Sequence, residues 1–145
     1  MCRVHYSIAD HSTRVAQLVP DNIRFAALMH DASEAYISDI SRPLKHALPQ
    51  YQDIEYIIQN TIHERYGIGL LSLDDLDAIK KADNILMMTE VRDLMPSVKG
   101  WESWTTESPL PTVLEPVSPL LAYGTFLGYF NRYCRKEDRV TDIIV

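Results

Sequence analysis

Apolar residues return at three- and four-residue intervals along most of the chain, the spacing of helices that bury one face. Ile8, Val15 and Leu18 keep this spacing behind Ser7, a good N-cap residue, with Asp10 in the first turn and Pro20 as a stop. A helix from about Ile8 to Val19 is predicted. Asp21 or Asn22 can cap a second segment whose stripe is Phe25, Leu28, Met29 and Ala32. That stripe predicts a helix carrying His30, Asp31 and Glu34 within about one turn. Pro43 and Pro49 break the period between Asp39 and Pro49. Ile54, Ile57, Ile58, Ile62 and Tyr66 then restore it until Gly67, predicting a helix from about Gln50 to Tyr66. Ser72 caps a further helix with Leu76, Ile79, Ile85, Leu86 and Met88, running on to Pro96 with Asp83 in its middle.

From Pro96 to Pro119 the chain carries five prolines, two tryptophans and many Ser and Thr residues. A structureless stretch of that length is a lid, an interface or a loose excursion. Leu120 to Tyr133 returns to an apolar helical pattern. Thr112 to Leu114 is a candidate short strand, but no internal repeat and no alternating strand pattern runs through the chain. The expected fold is all-α, a single-domain helical bundle over residues 1–145.

Composition narrows the class without changing that picture. With 145 residues the chain can bury one core without disulfide staples, and 46% hydrophobic with 23% charged residues is ordinary for a globular domain. A formal net charge of −6 supplies no global positive field, so long nucleic acid and anionic membrane surfaces are poor partners. Cys2 and Cys134 lie at opposite ends with no CxxC spacing, which argues against a disulfide framework or a thiolate zinc site and suits a reducing cytoplasm. No apolar run approaches the roughly 20 residues that span a bilayer, and the N-terminus lacks the layout of a signal peptide.

Candidate chemistry centres on nitrogen and oxygen donors. A divalent cation needs such ligands, and the chain offers His11 on one predicted helix, His30 and Asp31 on the next and Asp83 on a later one. Asp83 is flanked by Ala82, Ile85, Leu86, Met87 and Met88, where a bare carboxylate would be costly to desolvate, so a cationic partner is expected. A salt bridge to Lys80, Lys81 or Arg92 would meet that need as well as a metal would. His5, His46 and His63 have no partner pattern and read as structural or solvent-facing.

The stretch His30-Asp31-Ala32-Ser33-Glu34-Ala35-Tyr36-Ile37-Ser38-Asp39-Ile40-Ser41-Arg42-Pro43-Leu44-Lys45 resembles the signature of nucleotidase-type HD-domain phosphohydrolases: an HD doublet, a Glu three residues on, an Asp eight residues on, then P-x-K. Tyr6 to Ser12, around His11, resembles the family's upstream metal-histidine segment, and Lys81-Ala82-Asp83 resembles its last metal aspartate. The resemblance runs from about Tyr6 to Met95, including Thr89 to Met95, and fades across the Trp-rich loop. The short separation between the doublet and Asp83 resembles compact phage enzymes acting on dATP more than the longer bacterial deoxynucleoside 5′-monophosphatases. The chain departs from the family at its start, where a further helix usually carries a phosphate-gripping arginine; the alternatives are that Arg3 substitutes or that the sequence is a truncated member.

The resemblance implies an HD-type bundle and a metal-dependent phosphohydrolase. Its substrate would be a (deoxy)nucleotide, cleaved as a dNTP triphosphohydrolase or a deoxynucleoside 5′-monophosphatase would cleave it. His11, His30, Asp31 and Asp83 would hold a divalent ion, Co²⁺, Zn²⁺, Mn²⁺ or Mg²⁺. Glu34, one turn beyond the doublet, would orient or deprotonate water, and Asp39 would protonate a leaving oxygen or contact the sugar. Lys45 would bind phosphate, and Arg14, one turn after His11, would point into the same cleft or else form a surface ion pair. Tyr36, Trp101 and Trp104 are candidates for stacking on a base, and the tryptophans equally for a homo-oligomer interface. The competing readings are an HD phosphodiesterase or alarmone hydrolase, and a non-catalytic, regulatory HD-like interaction module.

Overall fold

A computed structural model describes residues 4–97, 99–101 and 103–141. Arg3 and Cys2 lie outside the described residues. The chain is all-α: seven helices and two short 3₁₀ turns, with no strand among the described residues. In order they are α1 (Ile8–Gln17), a 3₁₀ turn (Asp21–Ile23), α2 (Arg24–Leu28), α3 (Glu34–Ile37), α4 (Arg42–Ala47), α5 (Pro49–Tyr66), α6 (Leu73–Leu94), α7 (Pro119–Tyr133) and a 3₁₀ turn (Lys136–Asp138).

The capping residues behave as their chemistry requires. Ser7 Oγ accepts the Asp10 N–H at 3.1 Å and starts α1. Ser72 and Asp75 form a reciprocal capping box at the start of α6. Gly67 ends α5 with φ +68°, a left-handed cap that a side chain would strain and that Arg135 already crowds. The one non-glycine residue with positive φ among the described residues is Ser38, at +61°, and the Tyr51 hydroxyl donates to its carbonyl.

α1 is the central element, packed against α2, α6 and α7. It can sit there because Ser12, Thr13, Val15 and Ala16 are small or β-branched and fully enclosed. Around it gather Ala27 and Leu28, then Ile62 of α5, Ile79, Ala82 and Leu86 of α6, and Phe130 of α7. Each large side chain buried in this way contributes about 1.5–3 kcal/mol. Phe130 meets Phe25 and Tyr66 edge-on, with ring centroids 5.8 and 5.2 Å away.

Three expectations from the sequence are corrected. The second predicted helix is not continuous: α2 ends at Leu28, and residues 29–33 form a tightened turn before α3. Its hydrogen bonds run to the third residue back, as in Ala32 N–H to Met29 O at 3.1 Å and Glu34 N–H to Asp31 O at 3.0 Å. Thr112 to Leu114 forms no strand; residues 110–117 are a strap held by side chains. On α5, Ile62 is buried but Ile54 and Ile57 face outward, 50% and 62% exposed.

Candidate metal centre

His11 is on α1, His30 and Asp31 are in the turn after α2, and Asp83 and Glu90 sit two turns apart on α6. These elements meet at one end of a cleft of about 560 Å³. His11 Nε2 lies 3.6 Å from Asp31 Oδ2 and 3.4 Å from Asp83 Oδ1. His30 Nε2 lies 3.1 Å from Asp31 Oδ2 and 4.0 Å from Asp83 Oδ1. One donor atom each from His11, His30 and Asp31 falls within a 4.8 Å group, the spacing that a single ion would bridge. The four residues named from the sequence as ligands are thus brought together.

The ring nitrogens are assigned by their other bonds. His30 Nδ1 lies 2.8 Å from the Ala27 carbonyl, which can only accept, so Nδ1 carries a proton and Nε2 is the nitrogen turned toward Asp31 and Asp83. That Nε2 is buried and has no hydrogen-bond partner. A buried, unsatisfied nitrogen aimed at two carboxylates is what a metal ligand looks like before its ion is counted. His11 Nδ1 lies 2.7 Å from Glu90 Oε1, so His11 likewise turns Nε2 inward, supported by an outer carboxylate.

The charge balance favours a cation. Burial opposes protonation of His11, but Asp83, Glu90 and Asp31 outweigh it and push its pKa up to about 10. A proton on His11 therefore balances part of the negative charge of the surrounding carboxylates. Burial also opposes ionisation of Asp31 and Asp83, yet the histidines, and Lys80 at Asp83, hold both carboxyls below their usual range. Of the three cations offered as partners for Asp83, Lys80 takes the role, bonding Oδ2 at 2.7 Å, while Arg92 grips Asp93. The salt-bridge and the metal accounts use different oxygens of the same carboxylate.

Further along the cleft, Glu34, Asp39 and Lys45 line the wall. Burial, then Asp31 and Asp39, push the Glu34 pKa up to about 8, so it carries a proton at neutral pH in the metal-free state. Lys45 Nζ is tethered by Glu55 Oε1 at 2.7 Å and lies 3.7 Å from Asp39 Oδ1. Trp101 and Trp104 form part of the far wall, and Trp104 lies against His46 with ring centroids 5.9 Å apart.

Two proposed substrate contacts are not brought into the cleft. Arg14 bonds Asp10 through Nε at 2.7 Å and the Glu115 carbonyl at 2.8 Å, which commits its guanidinium to the strap rather than to the cleft. Tyr36 is 73% exposed and is absent from the cleft wall, because it lies two residues beyond Glu34 on α3 and so faces the opposite way.

Three residues went unassigned in the sequence reading. Glu90 had a signal: it lies seven residues after Asp83, so a regular helix puts both on one face. Lys80 was named only as a salt-bridge partner, yet it also lines the cleft. Gln59 had only its four-residue spacing from Glu55 and His63.

No family model matches the chain. Its sequence is 39% identical over 130 residues to the uncharacterized protein YfdR of Escherichia coli (strain K12), covering 87% of this chain and 70% of that protein. The chain belongs to the same family as YfdR. An uncharacterized protein of Rhodobacter capsulatus is 31% identical over 98 residues, which spans 61% of this chain but only half of that protein's length. Neither relative's name states an activity, so the chemistry has to be argued from the cleft.

Proposed function

We propose that the chain is a metal-dependent phosphohydrolase of the HD type that cleaves phosphate from (deoxy)nucleotides. The observation that carries this reading is the convergence of His11, His30, Asp31 and Asp83 around a buried His30 Nε2 that has no hydrogen-bond partner. Five carboxylates line the described cleft against the ammonium groups of Lys45 and Lys80, so an anionic substrate needs a further positive charge before it can enter.

His11, His30, Asp31 and Asp83 would hold the ion. A divalent ion supplies Lewis acidity and makes water acidic near neutrality. Glu34 is the proton acceptor. Neutralising Asp31 removes one of the charges that keep Glu34 protonated, so loading the site prepares Glu34 to take a proton. Asp39, hydrogen-bonded to Glu34, would relay the proton that Glu34 takes from water to the leaving oxygen. Lys45, oriented by Glu55, donates charge-assisted hydrogen bonds to phosphate. The indoles of Trp101 and Trp104 offer a nucleobase a flat apolar wall. Arg14 and Tyr36 have no part in this scheme.

The test is phosphate release from a panel of deoxynucleoside mono- and triphosphates by metal-stripped protein, with Co²⁺, Mn²⁺, Mg²⁺ or Zn²⁺ added back. Metal-dependent release from one class is expected and identifies the bond cleaved. Metal uptake without turnover of any substrate overturns the enzymatic reading in favour of a regulatory HD-like module.

A further inference from the structure

The ligands His30 and Asp31 are adjacent in the chain, and on a regular helix adjacent side chains diverge by about 100°. They nevertheless approach within 3.1 Å of each other. Both lie in the tightened turn of residues 29–33, where the regular helical hydrogen-bond ladder is broken. In an unbroken helix the Ser33 N–H would donate to the Met29 carbonyl, four residues back. Here a side-chain amide from α5 occupies that position: Gln59 Oε1 accepts the Ser33 N–H at 3.0 Å, and Gln59 Nε2 donates to the Met29 carbonyl at 2.6 Å. One missing helical hydrogen bond is thereby replaced by two, and the amide holds the break in the helical ladder.

The orientation of that amide is itself fixed. The second hydrogen on Gln59 Nε2 points to His63 Nε2 at 2.9 Å, four residues further along α5. With two acceptors on its nitrogen side and one donor on its oxygen side, Gln59 has a single satisfactory rotamer. Burial holds His63 toward its neutral, accepting form. Ser33 is 2% exposed, so water does not compete for its N–H.

We infer that Gln59 is a positioning residue for the metal centre, spliced into the α2–α3 backbone to turn His30 and Asp31 toward one point. This inference rests on the metal-site reading above. A structural role alone would make the residue dispensable to the ion once the fold is intact. Without the Gln59 amide the chain can close the Ser33 to Met29 hydrogen bond, extend the helix and stay folded, with the two ligands swung apart.

The experiment is a Co²⁺ titration of metal-stripped protein, reading affinity and the visible absorption bands, for the native chain, Gln59→Leu, Gln59→Glu and Asp83→Ala. Gln59→Leu should retain its helical circular dichroism and its melting temperature to within a few degrees. It should bind Co²⁺ about 10–100-fold more weakly, with altered bands, as expected on losing an outer-shell support. Gln59→Glu, nearly isosteric, keeps the acceptor for Ser33 but loses the donor to Met29; it should fall between, and it carries the decision if the leucine variant does not fold. Native affinity and native bands in a folded Gln59 variant overturn the inference and leave the metal site standing. A native chain that takes up no more Co²⁺ than Asp83→Ala overturns both.

Discussion

Two stretches of chain deliver side chains to the same small volume by opposite means. α6 works by regularity: a capped helix of 22 residues puts Asp83 and Glu90 two turns apart on one face, where one meets His11 Nε2 and the other His11 Nδ1. The turn at residues 29–33 works by interruption, using a broken helix and a borrowed amide to bring two neighbours together. A residue placed by helical register depends mainly on its own helix. A residue placed by a break depends on a side chain 26 or more positions away that no local rule selects.

The contrast predicts graded effects, the largest at the ions' own ligands. Asp83→Ala or His30→Ala should weaken metal binding by more than about 100-fold, beyond what losing an outer-shell partner causes; equilibrium dialysis with metal analysis measures this. Glu90→Gln keeps an acceptor for His11 Nδ1 but removes its charge, and should cost about 10–100-fold in affinity by the same assay, with the fold unchanged.

Acidity sharpens the comparison next. His11 has its pKa raised by folding, so its contribution is complete below 6.5 and fades as pH rises through about 10. Asp31 and Asp83 have theirs lowered, so their contributions are complete above the ordinary carboxylate value of 3.8 and fade as pH falls below it. Glu34, raised to about 8, costs stability as pH climbs above its ordinary 4.5, so the metal-free protein should melt highest near about pH 4 and lose stability on the alkaline side. Saturating Co²⁺ replaces the proton on His11, so the rise in melting temperature that it causes should grow as pH rises on that side. Thermal scans with and without ion give both slopes.

Changes away from the cluster should be smaller. Ser72→Ala removes one half of the α6 capping box and should cost about 1 kcal/mol in denaturant unfolding, with metal affinity unaltered. Tyr36→Ala should leave KM for a nucleotide where it was, because the ring faces solvent outside the cleft; steady-state kinetics would register any involvement.

The same contrast explains what the sequence made legible. Ser7, Ser72 and Gly67 mark helix ends by local chemistry, and α1, α5 and α6 begin or end where those residues direct. Asp83 announced itself as a carboxylate among apolar neighbours that needed a cation. The break at residues 29–33 was not legible, because Phe25, Leu28, Met29 and Ala32 keep helical spacing straight through it and only Gln59, on another helix, holds the break. Tyr36 faces solvent because it lies two residues beyond Glu34 on α3. Arg14 was misdirected for a different reason: Asp10 four residues earlier on α1 is an ordinary helical ion-pair partner, and it captures the guanidinium. The outward turn of Ile54 and Ile57 was invisible because periodicity reports a stripe without saying how wide a face the neighbours cover.

The strap at residues 110–117 ends up as more than a connection. It has no strand partner, yet its amides are taken by side chains of two helices: Leu110 N–H by Thr89 Oγ1 at 2.9 Å, Leu114 N–H by Asp93 Oδ2 at 2.7 Å and Val117 N–H by Asp10 Oδ2 at 3.1 Å. Placed in deuterated solvent, those amides should keep their protons far longer than an irregular segment ordinarily does. Their release requires the strap to lift from α6 and α1, so their exchange would time the opening of the core itself.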